Sequence, residues 1–265
     1  TKSECKANED ISDSLKPFNV IMIGGSGSVG KELVNKCIAS DKCESIHLLN
    51  RKEIPSFTNQ EKVQQYIVDM SQLESETDKI LNNIKDDKSF PSVAYITMGI
   101  GAPSKTDEET LEKVDVTLPT EFAKAVNNHK ISHIALLSSV GADITKKKNW
   151  LGTSAGGGLY LHLKGQIEHN LSTMGFKSVG LFRPSTLYGS PNTPGAAATL
   201  APLIEWALPK KYTGIQISDL GAAMFQHTLD CLSKYSDDDD ENKRVDILEG
   251  DNLFKYIPKK EAASK

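Results

Sequence analysis

The amino-acid sequence predicts an α/β protein built around a doubly wound parallel sheet. From Phe18 onward, short apolar runs typical of buried strands alternate with longer stretches of helical periodicity. A glycine-rich turn follows the first run and two serines follow the fifth, so polar groups stand at the ends of predicted strands. The predicted strands are Asn19–Ile23, Ser45–Leu49, Gln65–Val68, Ser92–Met98, His133–Leu137 and Ser178–Phe182, with Val245–Leu248 as a further candidate.

Helices are expected in the intervals between these strands. The predicted helices are Gly30–Ala39, Leu118–Asn127, Leu159–Met174 and Ser218–Leu232. A chain of 265 residues suits one large domain, which we place at residues 18–265 after a polar extension at residues 1–17. The proline- and glycine-bearing stretch Ser190–Gly214 begins a small C-terminal lobe, roughly residues 190–257, that would cover a substrate. The acidic run Ser236–Lys243 is interpreted as a solvated loop.

Composition excludes several classes of protein. With 31 basic and 35 acidic residues, the chain has no broad positive charge for nucleic acid, so no nucleic-acid partner is expected. No run approaches the roughly 18 to 20 apolar residues of a transmembrane helix. The four cysteines form no CxxC pair, and the six histidines lack zinc-ligand spacing beside them, which predicts reduced thiols and no metal site. We expect a cytoplasmic protein, with the mitochondrion as the alternative.

The glycine-rich turn predicts a dinucleotide site and a sheet of the Rossmann type. Gly24, Gly27 and Gly30 have GxxGxxG spacing between an apolar strand and an amphipathic helix. The first glycine permits a sharp turn, the second a close approach to a pyrophosphate, and the third tight packing of helix on strand. Ser26 and Ser28 would add hydroxyl donors, and the GK[ST] sequence of a P-loop is missing.

The residues after the second and third strands favour NADP(H) as the cofactor. An acidic residue after the second strand would bind the adenosine ribose of NAD, but Arg51 and Lys52 stand there and suit a 2′-phosphate. Glu53 lies close enough to bind the adenosine ribose instead, so NAD is the alternative cofactor. Asp69 follows the third strand, where a side chain can reach the adenine edge. The backbone of Thr97–Gly101 would run beneath the riboses.

A serine, a tyrosine and a lysine form the candidate catalytic set. Ser138 and Ser139 follow the fifth strand, and we assign Ser138 to the cofactor side and Ser139 to the substrate carbonyl. Tyr160 and Lys164 are one helical turn apart, so the lysine can favour the phenolate of a tyrosine whose ordinary pKa is about 10. A second pair, Tyr256–Lys260, contains a proline that is incompatible with a helix interior.

Seven segments resemble, in order and spacing, the atypical short-chain dehydrogenase/reductases. They are GGSGSVG, LLNRK, IVDMSQL, TMGIG, LLSSVGAD, YLHLKGQIE and LFRPSTLYG. Within these, the chain is most similar to the group of the HIV Tat-interacting protein TIP30 and related fungal mitochondrial proteins. The resemblance implies NADPH contacts by Ser26, Gly27, Ser28, Val29, Arg51, Lys52, Met98, Gly99, Tyr160, Lys164 and Leu187. Lys52 stands where that group has a second arginine, which keeps the charge but loses a planar fork.

Two classes of function follow from these residues. The first is an NADPH-dependent oxidoreductase acting on a carbonyl or alcohol, with a small-molecule substrate. The alternative is a non-catalytic NADPH-binding regulator or accessory subunit with a protein partner. An epimerase or dehydratase is less favoured because the C-terminal lobe is small for a nucleotide-sugar. The substrate itself is not indicated, because its determinants would lie in Gly152–Gly158 and Ser190–Gly214.

Overall fold

A seven-stranded parallel sheet forms the centre of the protein in a computed structural model, which describes residues 15–101, 103–146, 158–190, 209–234 and 243–258. In chain order the strands are β1 (Phe18–Ile23), β2 (Cys43–Asn50), β3 (Val63–Ile67), β4 (Val93–Ile96), β5 (His133–Leu137), β6 (Ser178–Phe182), β7 (Leu187–Tyr188), β8 (Ile215–Gln216) and β9 (Arg244–Leu248). Strands β7 and β8 pair in a separate ribbon, and the others have the order β3-β2-β1-β4-β5-β6-β9. The winding therefore reverses between β1 and β4, which is where such sheets bind ligands.

Helices cover both faces of the sheet. In chain order they are α1 (Ser28–Ala39), α2 (Leu73–Ile84), α3 (Glu108–Glu112), α4 (Leu118–Asn128), α5 (Gly158–Thr173), α6 (Ile217–Lys234) and α7 (Asp251–Phe254). Helices α1 and α6 pack together on one face, and α2, α4 and α5 pack on the other. A π-helical turn, Lys113–Thr117, joins α3 to α4.

The strand β1 shows why the central strands are apolar throughout. All six of its residues are buried. Val20 and Met22 contact the hydrophobic cluster under α1 and α6, whereas Ile21 and Ile23 contact the cluster under α2, α4 and α5. A parallel strand covered on both faces must be apolar at successive positions, so the predicted continuous apolar run has a direct structural cause.

The predicted fold class is confirmed, with small differences at the strand ends. The fourth strand ends at Ile96 rather than at Met98, because the backbone of Thr97 and Met98 lies against the turn that follows β1. Within the predicted C-terminal lobe, α6 packs against α1 and β9 completes the main sheet.

Several predictions concern residues outside the described ranges. These residues are 1–14 of the polar extension, 152–157 and 191–208 of the candidate substrate segments, and 236–242 of the acidic run. Among the helices of the described part, none is both long enough and apolar enough to cross a membrane.

Candidate functional site

The turn after β1 lies directly against the end of β4, and two of its glycines make this contact possible. Gly24 has a φ of +88°, in the left-handed region, and a Cβ there would lie 2.3 Å from the backbone nitrogen of Met98. A Cβ on Gly30 would lie 2.2 Å from the Gly24 carbonyl oxygen and 2.8 Å from Thr97 Oγ1. Both positions therefore require glycine, as the motif predicts.

The amino end of α1 has the features of an anion site. Gly27 is the N-cap residue, no side chain caps this helix in the described structure, and its first turn carries no acidic residue. Ser26 and Gly27 are exposed and Ser28 is half-buried, whereas the side chain of Val29 lies in the core. Backbone N–H groups and two hydroxyls are thus available at the positive end of the helix dipole, where phosphate groups bind.

Two cations follow β2, at the edge where an adenosine ribose would lie in this fold. Arg51 and Lys52 are both exposed. The nearby carboxylate of Glu53 accepts a hydrogen bond from the Thr58 hydroxyl at 2.8 Å, within its own turn. Glu53, which kept NAD as an alternative cofactor in the sequence, is therefore hydrogen-bonded within its own turn, and both cations are exposed.

Asp69 has a clear structural role at the end of β3. Its carboxylate accepts hydrogen bonds from the backbone N–H and the hydroxyl of Ser71, at 2.9 and 2.8 Å, and caps the short helical turn Met70–Gln72. These hydrogen bonds hold the pKa of Asp69 below its ordinary value. Both hydrogen bonds end on Oδ1 of Asp69. The predicted contact with the adenine edge stays a prediction, and it would use Oδ2.

A cavity of about 150 Å³ lies at the carboxyl ends of β4 and β5 and is lined by all three candidate catalytic residues and by part of the predicted cofactor site. The lining residues are Thr97, Met98, Gly99, Ile100, Gly101, Leu137, Ser138, Ser139, Tyr160, Lys164, Pro184, Ser185 and Leu187. The three candidate catalytic residues, which come from β5 and α5, therefore share one cavity with the backbone after β4. The sheet topology brings these segments together, because the carboxyl ends of parallel neighbours meet at one edge.

The Tyr160 hydroxyl is surrounded by groups that act on its pKa in opposite directions. Burial raises the pKa above its ordinary value, because the phenolate loses hydration, and Asp115 adds to this rise. Lys164, whose Nζ lies 5.8 Å from the centre of the tyrosine ring, and the Ser139 hydroxyl both lower it. The predicted effect of Lys164 is present but is outweighed, so the neutral phenol is the favoured form.

Lys164 is held by a partner that the sequence did not reveal. Its Nζ lies 2.7 Å from Asp115 Oδ1, and both side chains are almost fully buried. Burial opposes the charge on Lys164, yet the Asp115 carboxylate raises the lysine pKa above its ordinary value. A Cβ on Gly99 would lie 3.0 Å from Asp115 Oδ1 and 3.3 Å from Lys164 Nζ, so glycine leaves room for the pair.

The hydroxyl of Ser138, a predicted cofactor contact, is hydrogen-bonded to a side chain of α5. Ser138 Oγ donates to Glu168 Oε1 at 2.5 Å. Arg183 donates from Nε to the same oxygen at 2.9 Å and from Nη2 to Oε2. This buried network ties α5 to the ends of β5 and β6, and it supports the helix that carries Tyr160 and Lys164. The Ser138 N–H donates to the Phe182 carbonyl oxygen at 2.7 Å, and the cofactor contact of Ser138 stays a prediction.

Asp115, Glu168 and Arg183 are functional neighbours that sequence reasoning missed. Asp115 lies in a π-helical turn, and this extra residue per turn has no signature in the sequence. Glu168 is one helical turn after Lys164, at the same four-residue spacing as Tyr160 and Lys164, and this repeat was the available signal.

Comparison with known sequences finds relatives that match two thirds to three quarters of the chain. A family model described as "Polysaccharide biosynthesis protein" matches residues 20–98. The mitochondrial protein Fmp52 of Emericella nidulans is 25% identical over 200 residues, which cover 75% of this chain and 79% of that protein. HTATIP2 of Rattus norvegicus is 24% identical over 184 residues, which cover 69% of this chain and 67% of that protein. The resemblance to the Tat-interacting protein group and its fungal relatives is thereby confirmed.

Solved structures share the fold. A short-chain type dehydrogenase/reductase from Mycobacterium ulcerans superposes with a TM-score of 0.63 at 13% identity, covering 91% of each chain. MoeE5, solved in complex with UDP-glucose and NAD, superposes with a TM-score of 0.58 at 15% identity, covering 87% of this chain and 76% of that chain. The chain has the Rossmann-like fold of the short-chain dehydrogenases and sugar-nucleotide epimerases.

Proposed function

We propose that the protein is an NADPH-dependent oxidoreductase that reduces the carbonyl group of a small molecule. The observation that carries the proposal is the shared cavity in which Ser139, Tyr160 and Lys164 face the backbone after β4. A proton donor, a hydrogen-bonding hydroxyl and a fixed cation are the groups that carbonyl reduction needs from a protein.

The turn after β1 and the end of β2 fit a phosphorylated dinucleotide. The space kept open by Gly24 and Gly30 and the uncapped amino end of α1 suit a pyrophosphate. Arg51 and Lys52 suit a 2′-phosphate, and the Glu53 carboxylate accepts a hydrogen bond from Thr58 within its own turn. NADPH, when bound, would supply the hydride. The NAD in the MoeE5 structure supports a nicotinamide cofactor at this fold position, and the choice of NADPH rests on the two cations.

Tyr160 is the proposed proton donor. Because burial raises its pKa, its hydroxyl carries a proton at neutral pH and can transfer it to a carbonyl oxygen as the carbonyl carbon is reduced. The resulting phenolate would be stabilised by Lys164, which Asp115 keeps charged. Ser139 would donate a hydrogen bond to the same carbonyl oxygen and orient it.

The test is steady-state kinetics of Tyr160→Phe with NADPH and a panel of aldehydes and ketones. We expect the variant to lose about 100-fold or more in kcat, since it lacks the proton donor, while NADPH binding is retained. Tyr256→Phe is the matched control, because it removes the hydroxyl of the other Tyr-x-x-x-Lys pair, which contacts Asp230 outside the cavity. Full activity of Tyr160→Phe would refute the mechanism.

The same experiment separates the enzyme from the regulator. An NADPH-binding regulator would bind the nucleotide tightly and turn over no member of the panel. In a partner pull-down, its two tyrosine variants would behave alike.

The relatives favour one of the two compartments, because the mitochondrial designation of the Fmp52 proteins favours the mitochondrion over the cytoplasm. Cell fractionation against markers of both compartments would decide this.

A further inference from the structure

Three potential metal ligands converge on the face of the sheet that α6 covers, away from the nucleotide site. His227 and Cys231 come from α6, and Asp246 comes from the edge strand β9. His227 Nε2 lies 3.0 Å from Asp246 Oδ2 and 3.6 Å from Cys231 Sγ. One donor atom from each residue lies within 4.8 Å of the other two. Among the described residues, this is the one group of three or more His, Cys, Asp and Glu side chains whose donor atoms lie so close together.

Two features of the chain bring these three side chains together: the spacing of two ligands on α6, and a glycine on β6 that leaves room for the histidine. His227 and Cys231 are four residues apart, so they lie on one face of α6. Gly180 lies beneath the histidine, and a Cβ there would be 3.0 Å from His227 Cε1. Arg244 Nε donates to Asp246 Oδ1 at 2.6 Å and leaves Oδ2 facing the histidine. Such a second partner is typical of carboxylates that bind metals.

The donor set identifies the class of cation. A thiolate, an imidazole nitrogen and a carboxylate oxygen are the ligands of tetrahedral zinc, whereas calcium and magnesium require oxygen ligands. Metal–ligand bonds of about 2.0 to 2.3 Å place neighbouring donors roughly 3.3 to 3.8 Å apart in a tetrahedron. The 3.0 and 3.6 Å separations measured from His227 Nε2 are close to this range. A divalent cation would also compensate the negative charges of the thiolate and the carboxylate that bind it.

A further buried histidine lies near the cluster. The Thr228 hydroxyl donates to the Met224 carbonyl oxygen at 3.1 Å and lies 3.3 Å from His133 Nε2. Within the described structure, the buried His133 Nδ1 has no hydrogen-bond partner. The His133 and His227 rings are 5.9 Å apart, centre to centre. A buried polar atom without a partner is costly, so this part of the interior is not fully satisfied by protein groups.

We propose that His227, Cys231 and Asp246 form a zinc-type cation site that ties α6 to β9, with water as the fourth ligand. The site lies on the helix and strand that close one edge of the sheet, so its effect is on the stability of this edge. This proposal is independent of the proposed reductase activity.

The first test uses cobalt as a spectroscopic probe of the full-length protein. The protein is stripped with a chelator, dialysed and titrated with Co²⁺. We expect uptake of one equivalent with a sulfur-to-cobalt charge-transfer band, and displacement by Zn²⁺. Cys231→Ser should lose the band. Cys43→Ser, which removes an equally buried thiol at the start of β2, should keep it. The proposal is overturned if no such band forms, or if the band survives in Cys231→Ser.

A second test does not depend on a core cysteine variant. Zn²⁺ should raise the Tm of the unaltered protein by several degrees, because it binds only the folded state. Asp246→Asn keeps the side-chain shape but weakens a ligand, so it should lose most of this shift. Asp251→Asn, an exposed substitution on α7, should retain it. An unchanged Tm on adding Zn²⁺, or an equal shift in Asp246→Asn, would overturn the proposal.

Discussion

Single residues decide the electrostatics of the proposed site, and the pair of Lys164 and Asp115 matters most. A buried ammonium without a partner loses its hydration and would shed its proton. Asp115, 2.7 Å away, compensates for this loss and raises the lysine pKa. A charged Lys164 can then stabilise a phenolate at Tyr160. The pair therefore links the stability of the helices around the cavity to the proposed proton transfer.

Replacing Asp115 with Asn should destabilise the protein strongly. The substitution leaves Lys164 buried without its counter-ion, and breaking a buried pair in this way costs about 3 to 5 kcal/mol. Urea unfolding measures the loss. Glu76→Gln serves as the control, because its partner Lys79 is mostly exposed and such pairs contribute less than about 1 kcal/mol. If Asp115→Asn is as stable as the unaltered protein, the ion pair does not have the role described.

Replacing Arg51 with Ala should weaken NADPH selectively. If Arg51 binds the 2′-phosphate, its loss should raise the Kd for NADPH about 10-fold or more, and the Kd for NADH should change little. Fluorescence titration at fixed ionic strength measures both constants. Lys36→Ala is the control, since it removes an exposed cation from the opposite end of α1. Equal weakening of NADPH and NADH would argue against a 2′-phosphate contact.

Among the secondary-structure elements, the unit formed by β1, the glycine turn and α1 was the most predictable from the sequence. Its strand, turn and helix are contiguous in the sequence, and the glycines are needed for contacts within a few residues and with the end of β4. Asp115 was not predictable in this way. It reaches Lys164 only because a π-helical turn joins α3 and α4 on the same face of the sheet as α5. The candidate catalytic set was predicted from spacing, whereas the residues that contact it were missed.

Two neighbouring glycines in the turn should respond differently to alanine. Gly24→Ala places a Cβ 2.3 Å from the Met98 nitrogen at a positive φ, so the turn must move. We expect a loss of about 1 to 3 kcal/mol in unfolding free energy and weaker NADPH binding. Gly25→Ala places its Cβ 3.4 Å from Leu48 Cδ2, an ordinary contact, and should change both quantities little. Equal effects of the two substitutions would contradict the requirement for glycine at position 24.

For the whole molecule, buried histidines set how stability depends on pH. Burial is the largest cause that lowers the pKa of His133, to about 3, and the neighbouring His227 lowers it further. Burial also lowers the pKa values of His47 and His227. These imidazoles are neutral in the folded protein, while the unfolded chain takes up protons near pH 6.5.

Stability should therefore fall as the pH is lowered from about 6.5 towards 3. In that window the unfolded state binds more protons than the folded state, and His133, with a folded-state pKa of about 3, contributes a slope of about 1.4 kcal/mol per pH unit. Urea unfolding between pH 7 and 4, with a chelator present, measures the slope. His133→Asn should reduce it. His169→Asn, an exposed position on α5, should leave it as it is. An unchanged slope in His133→Asn would show that this histidine does not remain neutral.

The order of elements along the chain was sufficient to predict the class of fold, the glycine turn and the identity of the catalytic candidates. Periodicity, turn residues and one-turn spacings are local properties, so they can be read without coordinates. The partners of those residues depended on the way distant segments pack. Asp115 meets Lys164, Glu168 meets Ser138 and Arg183, and Asp246 meets His227 only when the helices lie on the sheet. Burial then sets the charge states, because the cost of losing water is a property of the folded interior and not of any residue alone.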